Sequence, residues 1–238
     1  MAICNRLSGA ICWRGGPKNK RVRAKKKRPS KTKSRSRKLA VVPLGPRFLR
    51  AFAFAAEKHA GQTRKASSIP YIAHLMGVAS LVLEFGGDED MAIAALLHDV
   101  VEDCGGAPML KEVRRRFGAR VATIVDGCTD SFTIPKPPWR ERKEGYIRHL
   151  KNALPDTRLV SAADKLNNVR SILADYREVR EAIWERFNGG REGTLWYYRT
   201  LLEEFRRKPN RQTNRLIREF EIGVRELEAA AETGKAGN

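Results

Sequence analysis

The sequence predicts an all-α fold, a helical bundle of about ten helices behind a disordered, basic N-terminal tail. Three observations predict it. From about residue 44 the apolar residues recur at helical spacing, with little period-two alternation. Prolines and glycines fall where helices begin and end. The charge is also unevenly divided. Residues 1–40 carry 15 Lys or Arg and no Asp or Glu, whereas residues 41–238 carry 32 basic and 27 acidic side chains, a net of +5 out of the total of +20. At 238 residues and 42% hydrophobic, the chain can bury a sizeable core. The expected organisation is a tail over residues 1–42, a main domain over 43–207, and a C-terminal packing helix with a frayed end over 208–238.

A tail of like charges repels itself and buries too little apolar surface to offset its chain entropy. It is expected to be disordered and to attract nucleic acid or another polyanion weakly, an attraction that salt screens. The alternatives are a merely solvated tail or sequence upstream of the true start. An organelle-targeting role fits Lys25, Lys26 and Lys27 poorly, because arginine and serine dominate such segments. The first helix starts at Pro46, carries Phe48, Leu49, Phe52, Ala55 and Ala56 on one stripe, and ends at Gly61. Pro70 opens a second helix, closed by Gly86-Gly87. Asp88 caps a third, expected to run without a break to Gly105-Gly106. Pro108 starts a fourth, Gly118 breaks it, and Val121, Ile124 and Val125 continue the core. Three prolines make residues 127–139 a loop. Helices are expected again over about 139–153, 156–174, 178–187, 191–206 and 210–233. No run of about 18 apolar residues is present, so no segment is expected to cross a membrane. Cys4, Cys12, Cys104 and Cys128 form no C-x-x-C pair, and a reducing, cytoplasmic setting is expected.

The candidate chemistry begins at His98-Asp99, near the end of an apolar helix, with Glu102 and Asp103 following. On a continuing helix Glu102 shares the face of His98. Imidazole and carboxylates gathered in a partly buried place need a counter-charge. A divalent cation such as Mn, Fe, Zn or Mg would supply it. His74 stands at the start of the preceding helix, and Asp164 lies in an otherwise apolar helical stretch where an acid is rarely placed for packing. His59 and His149 read as helix-end or solvated histidines.

These pieces also carry a resemblance. Lys58-His59-Ala60-Gly61-Gln62-Thr63-Arg64-Lys65, Pro70-Tyr71-Ile72-Ala73-His74, Ala94 through Asp103, Phe117-Gly118 and Ala163-Asp164-Lys165-Leu166-Asn167-Asn168 resemble, in order, motifs of the HD-type (p)ppGpp hydrolase domains of RelA/SpoT proteins. Taken together, the chain looks like a stand-alone small alarmone hydrolase. The resemblance implies an HD-domain bundle and metal ligation by His74, His98, Asp99 and Asp164, usually of Mn²⁺. It implies that Glu102 and Asp103 handle the water and its proton. Arg64 and Lys65 would line the nucleotide site, and Asn168 would lie near the sugar. Three departures stand out: Leu75 replaces a common proline, Asn167 replaces a frequent histidine, and the loop from Lys65 to Pro70 is a residue longer.

The implied reaction is hydrolysis of guanosine tetra- or pentaphosphate, releasing pyrophosphate from the 3′ position, with Arg64, Lys65 and Lys136 holding phosphates. In the proline-stiffened loop, Lys136 and Arg140 are candidates to face phosphate; a rigid linker with Trp139 packed on the next helix is the alternative. Gly189-Gly190 reads as an interhelical turn rather than an anion loop. Trp196, Tyr197 and Tyr198 line core and groove; any one of the three is a candidate to stack on a base, and Tyr198 is counted among the substrate-binding residues. Two other functions fit the sequence. One is an HD phosphohydrolase acting on a nucleoside monophosphate or NADPH. The other is a nucleic-acid-binding protein that uses residues 1–40 and an inactive HD scaffold. Truncation near residue 42 separates the last from the enzymes, because hydrolysis would survive it.

Overall fold

A computed structural model describes residues 42–133, 135–208 and 213–236. The tail expected over residues 1–42, with its polyanion binding, therefore lies outside the described residues except at residue 42. The described chain is helical: α1 (Pro46–Lys58), α2 (Ile72–Glu84), α3 (Glu89–Leu97), α4 (Val100–Cys104), α5 (Gly106–Phe117), α6 (Ala119–Cys128), α7 (Trp139–Leu150), α8 (Pro155–Val179), a 3₁₀ segment (Arg180–Arg186), α9 (Gly190–Arg207) and α10 (Thr213–Ala236). Among the described residues the only extended pairing is an isolated bridge, Thr63 with Pro70. No helix among them is long and apolar enough to cross a membrane.

The centre of the bundle follows from composition. Every residue of α3 from Met91 to Leu97 is buried, so this helix has no solvent face and is wrapped by α1, α2, α6 and α8. Asp88 caps it, its side chain accepting from the Met91 N–H at 3.1 Å. The long α8 buries Leu159, Val160, Ala162, Ala163, Leu166 and Val169 and touches α2, α3, α6 and α10. Small residues set the closest approaches. A Cβ at Gly127 would stand 2.5 Å from Thr157 Cγ2, so α6 meets α8 there only as glycine. The last helix closes the bundle with Leu216, Phe220, Val224, Leu227 and Ala231, all buried.

Several expectations need correction. The third helix is broken at His98-Asp99 into α3 and α4. His98 Nδ1 lies 2.8 Å from the Ala95 carbonyl, the acceptor that the Asp99 N–H would use in a continuing helix. Glu102 therefore belongs to a separate turn and does not continue the face of His98. α5 begins at Gly106 and not Pro108; Gly106 takes φ +60 and a Cβ there would meet the Phe132 carbonyl oxygen at 2.6 Å, so only glycine fits at this start. α2 begins at Ile72, with Pro70 held in the bridge to Thr63. α8 runs to Val179, since Ile172, Leu173 and Tyr176 keep its inner stripe buried and the Tyr176 hydroxyl donates to the Ala230 carbonyl at 2.7 Å. It stops at Arg180, whose φ of +51 turns the chain into the 3₁₀ segment. His59 is a helix-end residue, the C-cap of α1, but it is buried and not on the surface; it stacks on Tyr71 at 5.0 Å between centroids and holds Gln62 Oε1 at 2.7 Å.

Trp139 fills the space over Gly189, which stands in the turn between the 3₁₀ segment and α9. A Cβ at Gly189 would lie 2.6 Å from its Cη2 and 2.8 Å from Cζ2 and Cζ3. Gly189 has an ordinary φ of −88, so only this contact opposes a side chain. Gly189→Ala is expected to cost about 1–3 kcal/mol through overpacking, read as a Tm drop of several degrees in a thermal melt. An unchanged Tm would mean that Trp139 is not seated there.

Candidate metal centre and substrate cleft

Four distant side chains meet at one place. His74 comes from the first turn of α2, His98 and Asp99 from the break between α3 and α4, and Asp164 from the middle of α8. His74 Nε2 lies 3.7 Å from Asp99 Oδ2 and 3.3 Å from Asp164 Oδ1. His98 Nε2 lies 3.0 Å from Asp99 Oδ2 and 3.6 Å from Asp164 Oδ1. One ligand atom from each of His74, His98 and Asp99 falls within 4.8 Å of the others.

The protonation pattern follows from what lies behind each ring. His98 Nδ1 donates to the Ala95 carbonyl, and Asn167 Oδ1 lies 2.7 Å from His74 Nδ1. With those protons committed, both Nε2 lone pairs point at carboxylate oxygens. His98 Nε2 is fully buried and has no hydrogen-bond partner. Lone pairs facing anions inside a protein are unfavourable unless a proton or a metal cation lies between them. Two imidazoles and two carboxylates are suitable donors for a divalent ion. In the metal-free protein burial pulls the His98 imidazole down, but Asp99 and Asp164 outweigh it and hold its pKa well above the ordinary value. Burial likewise works against Asp99 and Asp164. The His98 imidazole keeps Asp99 ionised, and Lys165 with the imidazoles keeps Asp164 ionised.

Supporting bonds hold the carboxylates. The Tyr71 hydroxyl donates to Asp99 Oδ2 at 2.5 Å. Burial, then the Asp99 charge, pushes that phenol far up, so Tyr71 keeps its proton and donates it to Asp99. Asn168 Nδ2 donates to Asp164 Oδ1 at 2.6 Å, and Lys165 Nζ bonds Asp164 Oδ2. Beside this cluster, Lys136 Nζ bridges Glu102 Oε1 at 2.8 Å and Asp103 Oδ1 at 2.9 Å. Burial, Asp130 and Asp99 raise the Glu102 carboxyl to about 7. Asp130 is held by Arg142 through both oxygens at 2.7 Å and by Lys143 at 2.7 Å. Lys143 and its neighbours overcome burial and lower Asp130 to about 2.

The polar chamber, about 130 Å³, adjoins a cleft of about 440 Å³. The cleft wall carries the basic side chains Arg64, Lys65, Lys143, Lys165 and Arg186, with Trp139, Phe187, Tyr197 and Tyr198 as apolar lining. Arg64 Nη2 donates to Asn168 Oδ1 at 2.8 Å, and Lys65 Nζ to Asn188 Oδ1 at 3.1 Å.

A family model described as HD domain matches residues 51–195, more than half of the chain. The chain belongs to the HD-domain family. Membership implies a divalent metal, in keeping with the donor set above. The guanosine-3′,5′-bis(diphosphate) 3′-pyrophosphohydrolase MESH1 of Xenopus tropicalis is 42% identical over 128 residues, 52% of this chain and 69% of that protein. The guanosine-3′,5′-bis(diphosphate) 3′-pyrophosphohydrolase of Aquifex aeolicus is 39% identical over 136 residues, 56% of this chain and 19% of that protein. A solved structure described as a metazoan ortholog of SpoT that hydrolyzes ppGpp superposes with a TM-score of 0.60 at 26% identity, over 76% of this chain and 97% of that one.

Within this HD domain the structure brings Glu102, Asp103 and Lys136 together beside the four-residue cluster, and sets Arg64, Lys65, Asn168 and Tyr198 on the cleft wall. It does not bring Arg140 there: its guanidinium lies 3.3 Å over the Trp196 ring and pairs with Glu144. His149 is exposed, as a solvated helix face should be. Sequence reasoning missed Tyr71, Asp130, Arg142, Lys143 and Lys165 as members of the site. Lys165 carried a signal, being a cation next to a buried acid in an apolar stretch. Arg142 and Lys143 carried none, because Trp139–Leu150 reads as an ordinary charged helix.

Proposed function

We infer that this HD domain is a metal-dependent phosphohydrolase that cleaves guanosine 3′,5′-bispyrophosphate, releasing pyrophosphate from its 3′ position. The observation that carries the reading is the convergence of two imidazoles and two carboxylates, with His98 Nε2 unpartnered, at the end of a cleft rich in cations. The relatives named above for that reaction support it.

His74, His98, Asp99 and Asp164 would hold the ion, Mn²⁺ in this proposal. A divalent ion there supplies Lewis acidity toward a phosphoryl oxygen and lowers the pKa of water. Glu102, raised to about 7, is poised to take and return a proton near neutral pH. Because Glu102 and Asp103 share Lys136, the acid and base roles belong to the pair. Arg64, Lys65 and Lys136 pair with substrate phosphates, and Lys165 and Lys143 add positive charge beside the leaving pyrophosphate. Asn168, bonded to both Arg64 and Asp164, links the sugar side of the cleft to the metal cluster. Tyr198 presents a ring in the cleft for the base. The proposed setting is the cytoplasm, in keeping with Cys104 and Cys128 as free thiols.

The test is a nucleotide panel with Mn²⁺, assayed for phosphate and pyrophosphate. Pyrophosphate release from guanosine tetraphosphate, with NADPH and nucleoside monophosphates inert, is the expected result. Orthophosphate released from NADPH or a monophosphate, with no pyrophosphate from the tetraphosphate, would overturn the substrate and leave the metal chemistry standing.

A further inference from the structure

Position 167 is occupied by asparagine, and its side chain makes a contact that the reaction scheme above leaves unused. Asn167 Oδ1 lies 2.7 Å from His74 Nδ1. It is placed there from α8, the helix that also supplies Asp164 three residues earlier. Only one amide orientation is compatible with a metal at His74. If Oδ1 accepts, Nδ1 carries the proton and the Nε2 lone pair faces Asp164 Oδ1 at 3.3 Å. If Nδ2 faced the ring instead, Nδ1 would have to accept. Nε2 would then carry the proton and could not ligate.

The facing helix is built to admit this amide. A Cβ at Gly77 of α2 would stand 2.5 Å from Asn167 Nδ2 and 3.3 Å from its Cγ. Gly77 lies inside α2, where glycine costs about 1 kcal/mol relative to alanine. An unfavourable residue at the one point where the amide passes is explained by the space it leaves.

We propose that Asn167 is a positioning residue that fixes the tautomer and ring orientation of His74, and that Gly77 is its required partner across the α2–α8 contact. This rests on the metal reading of the His74 cluster. Asn167 touches neither the reacting atoms nor the ion; it acts through His74. A backbone carbonyl does the same for His98, so the two imidazoles are oriented by different means: one by the fold itself, the other by a replaceable side chain.

The test is calorimetric titration of the metal-free, full-length protein with Mn²⁺ alone, with circular dichroism to confirm folding. Asn167→Leu keeps the volume and removes the acceptor. It is expected to weaken Mn²⁺ binding about 10–100-fold. Asn167→Asp keeps an acceptor for Nδ1–H and is expected to bind within a few-fold of the parent, a rescue that a purely structural role would not give. Gly77→Ala, although a better helix former, is expected to weaken binding by displacing the amide, and covers the case in which the leucine variant fails to fold. Parent-like Mn²⁺ affinity in Asn167→Leu, or equal losses in the leucine and aspartate variants, would overturn the proposal. If the parent itself binds no Mn²⁺ or other divalent ion, the metal reading fails, and this inference falls with it.

Discussion

Replacing Asp164 by alanine is expected to lower pyrophosphate release from guanosine tetraphosphate by at least about a thousandfold. Its Oδ1 lies 3.3 and 3.6 Å from the two imidazole Nε2 atoms. Losing a metal ligand forfeits several kcal/mol of charge stabilisation, and about 4 kcal/mol is three orders of magnitude in rate. A second effect works in the same direction. Lys165 Nζ, buried and bonded to Asp164, would be left as an uncompensated cation facing an incoming dication. Breaking one half of a buried pair costs about 3–5 kcal/mol, so the alanine variant should also melt earlier. Asp164→Asn separates the two effects: it keeps the volume and an acceptor for Asn168, yet removes the charge. A folded asparagine variant that still releases pyrophosphate at the parent rate would sink the assignment of Asp164 to the metal.

Glu102→Gln is expected to move activity and stability in opposite directions. Removing a general acid–base group costs about 10²–10⁴ in rate. Stability, measured in chelator, should instead rise at high pH. The Glu102 carboxyl faces Asp130, Asp99, Lys136 and Arg142, and burial with the two acids raises it from 4.5 to about 7. Between those values the folded state binds more protons than the unfolded state, so stability falls as pH rises through the window. The loss is complete above about pH 7 and amounts to at most about 3 kcal/mol. Glutamine cannot ionise. The variant should therefore match or exceed the parent's stability increasingly from pH 5 to pH 8, read as the pH dependence of the urea midpoint. Parallel curves for parent and variant would show that Glu102 is not destabilised by its setting.

Much of the helical fold could be read from the sequence because burial on one stripe imposes a 3.6-residue period. Val78, Leu96, Val113 and Phe220 lie buried where that period puts them, whereas on α1 the stripe is rotated: Leu49 and Phe52, expected inside, are exposed, and Ala51, Phe54 and Ala55 face the core. The break at His98 could not be read so. It arises from a side-chain bond to the Ala95 carbonyl, and hydrophobic periodicity carries no record of such bonds. Residues on ordered motifs, His74, His98, Asp99 and Asp164, could be singled out because acids and imidazoles in apolar runs are costly without a role. Lys143 and Arg142 could not, since a charged helix face looks the same whether it meets solvent or Asp130. The burial of His59 at the end of α1 could not be read for a similar reason. A helix-end histidine is exposed unless something covers it, and Tyr71 does so from beyond the adjoining turn.

Lys165 has one more implication. A fixed ammonium group already sits against Asp164, so part of the negative charge is matched whether or not the ion is present. An arriving ion therefore meets a smaller net attraction than two free carboxylates would exert.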